Sequence, residues 1–175
     1  MASLPDIDRL GTLSVEDQTK TLDALFEPSP AIHALILPSI SSGSFQSYND
    51  LITHCQKIFE ALLVDPCHKA QLHSIIGSHP RLGAKKVESA QSAAEQAQLQ
   101  SGDASELAAL NTEYEARFPG LRYVVFVNGR GRPEIMEDMR ARISRGNQAL
   151  EEQAAVQAMC DIARDRANKI LAATR

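Results

Sequence analysis

The amino-acid sequence predicts an all-α fold, a single-domain bundle of about seven or eight helices. Apolar residues recur at spacings of three and four along most of the chain, which is the periodicity of helices that pack on a core. Only residues 121–127 consist throughout of residues that prefer extended geometry, and one isolated strand cannot form a sheet. We therefore assign residues 1–175 to one helical domain. The sequence leaves open whether residues 1–13 are ordered.

The first half of the chain begins with a helix that Ser14 can cap, and Pro28 with Pro30 ends it. Residues 31–37 are predicted to form a short helical turn, and residues 39–47 a loop rich in serine and glycine. A core helix follows, because its apolar residues fall on one helical face. These residues are Leu51, Ile52, Cys55, Ile58, Phe59, Leu62 and Leu63.

The middle of the chain contains three further predicted helices. Pro66 suits the first turn of one helix, and Gly77 its end. Residues 91–100 are rich in alanine and glutamine, which favours a helix, and a break is predicted at Ser101-Gly102. The next helix places four apolar residues on one face and ends at Pro119-Gly120. These four are Leu107, Leu110, Tyr114 and Phe118.

Residues 121–127 form either a buried extended connector or an apolar helix, and in an otherwise helical chain we prefer the helix. Pro133 then begins a helix that Gly146 ends. Residues 149–173 complete the chain as one long helix.

Composition excludes several classes of function. A formal net charge of −4 argues against nucleic-acid binding, and no apolar run approaches the roughly 20 residues that span a bilayer. Three widely spaced cysteines do not resemble a disulfide framework and fit a reducing compartment. We expect a cytoplasmic protein, because the chain has no C-terminal Ser-Lys-Leu signal for peroxisomal import. Import into peroxisomes through a partner protein stays open.

The segment His79-Pro80-Arg81-Leu82-Gly83 is the strongest candidate for chemistry. Pro80 biases His79 away from helical geometry, and Gly83 allows the chain to turn again. A stiffened loop can hold an imidazole toward a ligand. From these residues alone, an ordinary surface loop after a Schellman-type helix stop at Gly77 is an equal alternative.

Other polar residues have structural alternatives. The histidines lack the spacing of a zinc site, so we predict no metal. Ser92 and Glu95 have the spacing of a capping box, but Glu95 could share acid/base work with His79, and its charge would favour an imidazolium there. Any of three arginines could bind a carboxylate or form a salt bridge, and spacing does not choose among them. They are Arg132, Arg142 and Arg166.

The order of these elements resembles the OHCU decarboxylase family over roughly residues 49–171. The succession is His79-Pro80-Arg81-Leu82-Gly83, then Ser92-Ala93-Ala94-Glu95-Gln96, Leu110 to Phe118, Tyr123 to Val127, a Gly/Arg turn, Ile135 with Arg142, and a last helix with Arg166. The resemblance implies an all-helical homodimer. It also implies cofactor-free decarboxylation of a small molecule, 2-oxo-4-hydroxy-4-carboxy-5-ureidoimidazoline, to (S)-allantoin in urate breakdown.

The resemblance also implies roles for individual residues. His79, assisted by Glu95, is the catalytic acid/base, and Arg166 binds an anionic group of the substrate. The remaining predicted substrate-binding residues are Pro80, Ser92, Gln96, Tyr123, Val124, Val125, Phe126 and Val127. Whether His79 acts first as an acid or as a base stays open. The alternative function is a non-catalytic helical module that binds a ligand or a partner.

Overall fold

A computed structural model describes residues 3–83, 90–99 and 104–174. These residues form eight α-helices and three short 3-10 helices, and no strand occurs among them. The all-α prediction is confirmed. The α-helices are α1 Val15–Leu25, α2 Pro30–Ser42, α3 Tyr48–Val64, α4 Lys69–Ile76, α5 Ala90–Gln96, α6 Ala104–Arg117, α7 Arg132–Arg145 and α8 Gln148–Ala173. The 3-10 helices are Ile7–Thr12, Pro66–His68 and Ala97–Leu99.

Several predicted helix ends are confirmed by the local geometry. Ser14 caps α1, because its side chain accepts a hydrogen bond from the backbone N–H of Asp17. Pro133 lies in the first turn of α7. Gly146 ends α7 with a left-handed backbone at φ +62°, which glycine adopts without a steric penalty. The predicted break at Ser101-Gly102 lies outside the described residues.

The prediction for α2 was wrong in length. The helix continues through Pro38 to Ser42, although a short turn over residues 31–37 and a loop over residues 39–47 were expected. Its buried face explains the extension, since Ile32, Ile36 and Ile40 repeat every four residues and are fully buried. Burial of that face outweighs the hydrogen bond that a proline cannot donate.

The preferred prediction of a helix over residues 121–127 was also wrong. This segment, here called the connector, has no regular secondary structure, although most of its side chains are buried. Arginines from outside the segment satisfy several of its carbonyl groups. Arg130 donates to the carbonyls of Phe126 and Val127, and Arg142 donates to that of Val124. Side-chain donors therefore replace the helical hydrogen bonds that a buried backbone otherwise needs.

The long helix α8 is the centre of the fold, and it packs against α1, α3 and α4. Its first half carries buried carboxylates as well as apolar residues. Glu151 binds Arg142 at 2.7 Å and Arg145 at 2.9 Å, so the salt-bridge alternative is confirmed for Arg142. Arg132 instead donates to the carbonyl of Leu99. None of the described helices is long and apolar enough to cross a membrane.

Candidate active site

The loop that carries His79 follows α4 directly and is held by side chains from elsewhere in the fold. Arg122 Nη1 donates to the carbonyls of both Gly77 and His79, at 3.1 and 2.6 Å. Gly77 does end α4, but its backbone is right-handed at φ −69°, so it does not make the left-handed stop of a Schellman motif. The Arg122 guanidinium therefore fixes the entry to this loop.

The far side of the loop is attached to α5 and α6. The amide of Asn111 donates to the carbonyl of Leu82 at 2.9 Å. The backbone N–H of Gly83 donates to Gln96 Oε1 at 2.7 Å. Because both ends of the loop are bonded to other elements, the orientation of His79 is set by the fold.

The imidazole of His79 is buried and has an unusual chemical state. The residue is 4% exposed, and neither Nδ1 nor Nε2 has a hydrogen-bond partner in the described part of the chain. Burial lowers the pKa of His79 to about 3, and the positive charges of Arg166 and Arg122 act in the same direction. The ring is therefore neutral at pH 7, with one nitrogen able to accept a proton.

His79 lines a cavity of about 580 Å³ between α5, the connector and α8. Every predicted site residue except Arg166 contributes to its wall. These residues are His79, Pro80, Ser92, Glu95, Gln96, Tyr123, Val124, Val125, Phe126 and Val127. Residues separated by up to 48 positions in the sequence thus meet around one space of the size that small ligands occupy.

Arg166 lies behind the cavity wall, where it is 2% exposed and binds two carboxylates. It forms a two-bond fork with Glu95, from Nε to Oε1 at 2.7 Å and from Nη2 to Oε2 at 2.9 Å. Nη2 also lies 2.8 Å from Glu27 Oε1 and 2.9 Å from Ser92 Oγ, so its two hydrogens are shared among three acceptors. The guanidinium therefore holds Glu95 and Ser92 at the cavity wall from behind.

The expectation that the charge of Glu95 sets the protonation state of His79 was wrong, because Glu95 is not among the groups that shift the pKa of the imidazole. We expected a neighbouring carboxylate to favour the imidazolium, but the pKa of His79 is lowered. The carboxylate of Glu95 is engaged by Arg166, and burial dominates the state of the imidazole. The capping alternative for this segment was wrong too, since Ser92 lies inside α5 and not at its N-cap.

The connector lines the cavity with residues whose backbone N–H groups have no partner among the described residues. In the described part of the chain, no protein acceptor bonds the N–H groups of residues 123–127, all of which belong to the lining. The phenol of Tyr123 points away to Asp138, to which it donates a hydrogen bond. The phenol of Tyr123 is therefore already bonded within the protein, whereas the N–H groups of the connector still lack acceptors.

Several residues that line or support the candidate site were not predicted from the sequence. Asp165 and Lys169 line the cavity and form an ion pair at 2.6 Å. They lie on α8 one residue before and three residues after Arg166, so their spacing from Arg166 could have predicted them. Glu27 reaches the cluster from the α1–α2 turn, and no motif marks it. Within the described ranges, no three histidine, cysteine or acidic side chains are grouped to hold a metal.

A cavity of this size, lined by apolar residues together with polar side chains such as His79, Ser92 and Glu95, is typical of a protein that binds a small molecule. The family model for OHCU decarboxylase matches residues 11–168, which is most of the chain. The chain therefore belongs to the OHCU decarboxylase family, a family of carboxy-lyases that act on a small molecule in urate catabolism. A comparison with individually curated proteins gave no significant match.

Proposed function

We propose that this protein converts 2-oxo-4-hydroxy-4-carboxy-5-ureidoimidazoline to (S)-allantoin and CO₂ without a cofactor, with His79 acting first as a base. The observation that carries the proposal is the buried, neutral imidazole of His79, which lines the cavity and has no hydrogen-bond partner among the described residues. A neutral imidazole can accept a proton but has no acidic proton to deliver first. We therefore propose that the base role comes before the acid role, an order that the sequence left open.

The substrate itself can accept the electrons of the broken bond. Its hydroxyl and carboxylate share one ring carbon, and the neighbouring carbon, which bears the ureido group, is doubly bonded to a ring nitrogen. When the bond to CO₂ breaks, its electron pair forms a double bond between the two carbons, and the C=N pair moves onto the nitrogen. That nitrogen takes one proton from solvent. No external electron sink is needed.

His79 completes the reaction by moving one proton. In the resulting enol, the neutral ring takes the hydroxyl proton and the carbon becomes a carbonyl. The imidazolium then donates that proton to the neighbouring carbon, which becomes the stereocentre of allantoin. Because the loop fixes the ring on one side of the cavity, the proton arrives at one face and a single enantiomer results.

The remaining cavity residues bind and orient. The N–H groups of residues 123–127 receive the oxygen atoms of the substrate, and Pro80 and Gln96 shape the wall beside His79. Arg166 acts through Glu95 and Ser92, since its donors are bonded to those side chains and to Glu27. The homodimer implied by the family resemblance is part of the proposal, and the molar mass in solution tests it.

The function is tested by forming the unstable substrate in place from urate with urate oxidase and hydroxyisourate hydrolase. Circular dichroism then follows the allantoin product. We expect this protein to accelerate allantoin formation and to give the S enantiomer, whereas the uncatalysed reaction gives a racemate. Folded protein that changes neither the rate nor the optical activity would contradict the proposal and favour a non-catalytic binding module.

A further inference from the structure

Glu27 belongs to the buried cluster behind the cavity, although it lies 65 residues before Ser92 in the sequence. It is in the turn between α1 and α2 and is 4% exposed. Its Oε1 atom accepts a hydrogen bond from Ser92 Oγ at 2.6 Å and another from Arg166 Nη2 at 2.8 Å. Glu27 thus contacts two of the residues that the family resemblance assigns to substrate binding.

Charge balance does not explain this carboxylate. Glu95 already forms a two-bond fork with Arg166, and one carboxylate neutralises one guanidinium. Glu27 adds a second carboxylate, which leaves the cluster of Glu27, Glu95 and Arg166 with an excess negative charge, and burying an unbalanced charge such as that of Glu27 is unfavourable. The fold therefore retains Glu27 at a cost in stability.

The backbone of Glu27 is a second unfavourable feature. Its φ is +151°, a positive value that residues other than glycine rarely adopt. Such a conformation persists only where the surrounding structure holds it, and these positions cluster at functional sites. The next helix begins directly after this turn, where Ser29 caps α2. Strain and excess charge at one residue both point to a role beyond packing.

The contacts of Glu27 determine the hydrogen-bond polarity of Ser92. A carboxylate only accepts hydrogen bonds, and a guanidinium only donates them. Ser92 Oγ must therefore donate its single hydroxyl proton to Glu27, while it accepts from Arg166. Any group that bonds to this oxygen from the cavity has to bring the proton itself.

We infer that Glu27 is a positioning residue that sets specificity, because it keeps Ser92 as a hydrogen-bond acceptor for an N–H group of a ureide substrate. The inference rests on the proposed function, which supplies a substrate with N–H groups on its ring and its ureido arm. A carbonyl or carboxylate oxygen placed at Ser92 would meet an acceptor and be disfavoured.

The test is a double-mutant cycle of Glu27→Gln and Ser92→Ala in the coupled allantoin assay. The glutamine keeps the size of the side chain, but its amide can donate to Ser92 and so reverse the hydroxyl. We expect Glu27→Gln to lower kcat/KM about tenfold, mainly through KM, and to add less than about twofold in the Ser92→Ala background. Glu152→Gln is the matched control, since Glu152 is also buried and its carboxylate also has two hydrogen-bond partners, Lys69 and His73, but it lies outside the cavity lining. It should leave KM unchanged.

Binding of allantoin, measured by calorimetry on the same proteins, separates this inference from the proposed function. If Glu27→Gln and Ser92→Ala lower the affinity for allantoin non-additively while the wild-type protein shows no catalysis, the role of Glu27 is supported and the decarboxylase function is contradicted. A wild-type KM and allantoin affinity in Glu27→Gln, or effects that simply add, would overturn the inference. If Glu27→Gln does not fold, the cycle is repeated with Glu27→Asp. Failure of both to fold, beside a folded Glu152→Gln, would also overturn it, because Glu27 would then be needed for folding itself.

Discussion

Replacement of His79 by glutamine is expected to lower kcat/KM for allantoin formation by about 100- to 10,000-fold, the range that a general base contributes. The imidazole is neutral and buried, and neither ring nitrogen bonds to any residue that the structure describes, so its removal breaks no described hydrogen bond. The His79→Gln protein should therefore stay folded while losing catalysis. Rates in the coupled assay and far-ultraviolet circular dichroism measure these two outcomes.

His68→Gln is the matched control for this variant, because His68 is half-exposed and pairs with Asp65 at the surface. It should retain wild-type activity. A folded His79→Gln protein within tenfold of the wild-type rate would remove His79 from the mechanism. Another proton donor would then have to determine the S configuration of the product.

Replacement of Arg166 by methionine is expected to lower the free energy of unfolding by about 3–5 kcal/mol, the cost of breaking a buried ion pair. The change leaves the carboxylates of Glu27 and Glu95 without their shared cation, and Glu27 is almost fully buried. Urea unfolding measures the loss. Arg140→Met is the control, since Arg140 pairs with Glu106 at the exposed surface, where such pairs contribute about 0–1 kcal/mol.

The double variant Arg166→Met/Glu95→Gln distinguishes a structural role for Arg166 from a direct contact with substrate. If Arg166 acts by holding Glu95, neutralising that carboxylate should recover part of the lost stability. An Arg166→Met protein with normal stability and a strongly raised KM would contradict this account. It would favour the direct binding of a substrate anion that the family resemblance implies.

The sequence predicted those parts of the fold that depend on local periodicity. The face of Leu51, Cys55 and Phe59 forms the buried side of α3, and Gly146 separates α7 from α8 as expected. Tertiary contacts determine the conformation of the two segments that were predicted wrongly. The buried face of α2 carries the helix past Pro38, and Arg130 with Arg142 stabilises an irregular connector where a helix was preferred.

The candidate site was predictable as a set of residues but not as an arrangement. The motifs around His79, Ser92 and Tyr123 all line the cavity, which their order in the sequence could only suggest. Sequence spacing does not show which partner an arginine will bind. The pairing of Arg166 with Glu27 joins residues 139 positions apart, and no local pattern marks Glu27. The protonation state of His79 likewise depends on burial, which only the fold determines.

The most direct measurement is ¹⁵N nuclear magnetic resonance of the His79 ring between pH 8 and pH 5, assigned with the His79→Gln protein. Because the pKa is about 3, we expect a neutral imidazole whose shifts stay constant over this range and move when allantoin is added. An imidazole that titrates near its ordinary pKa of about 6.5 and does not respond to allantoin would contradict a buried neutral base at the substrate cavity.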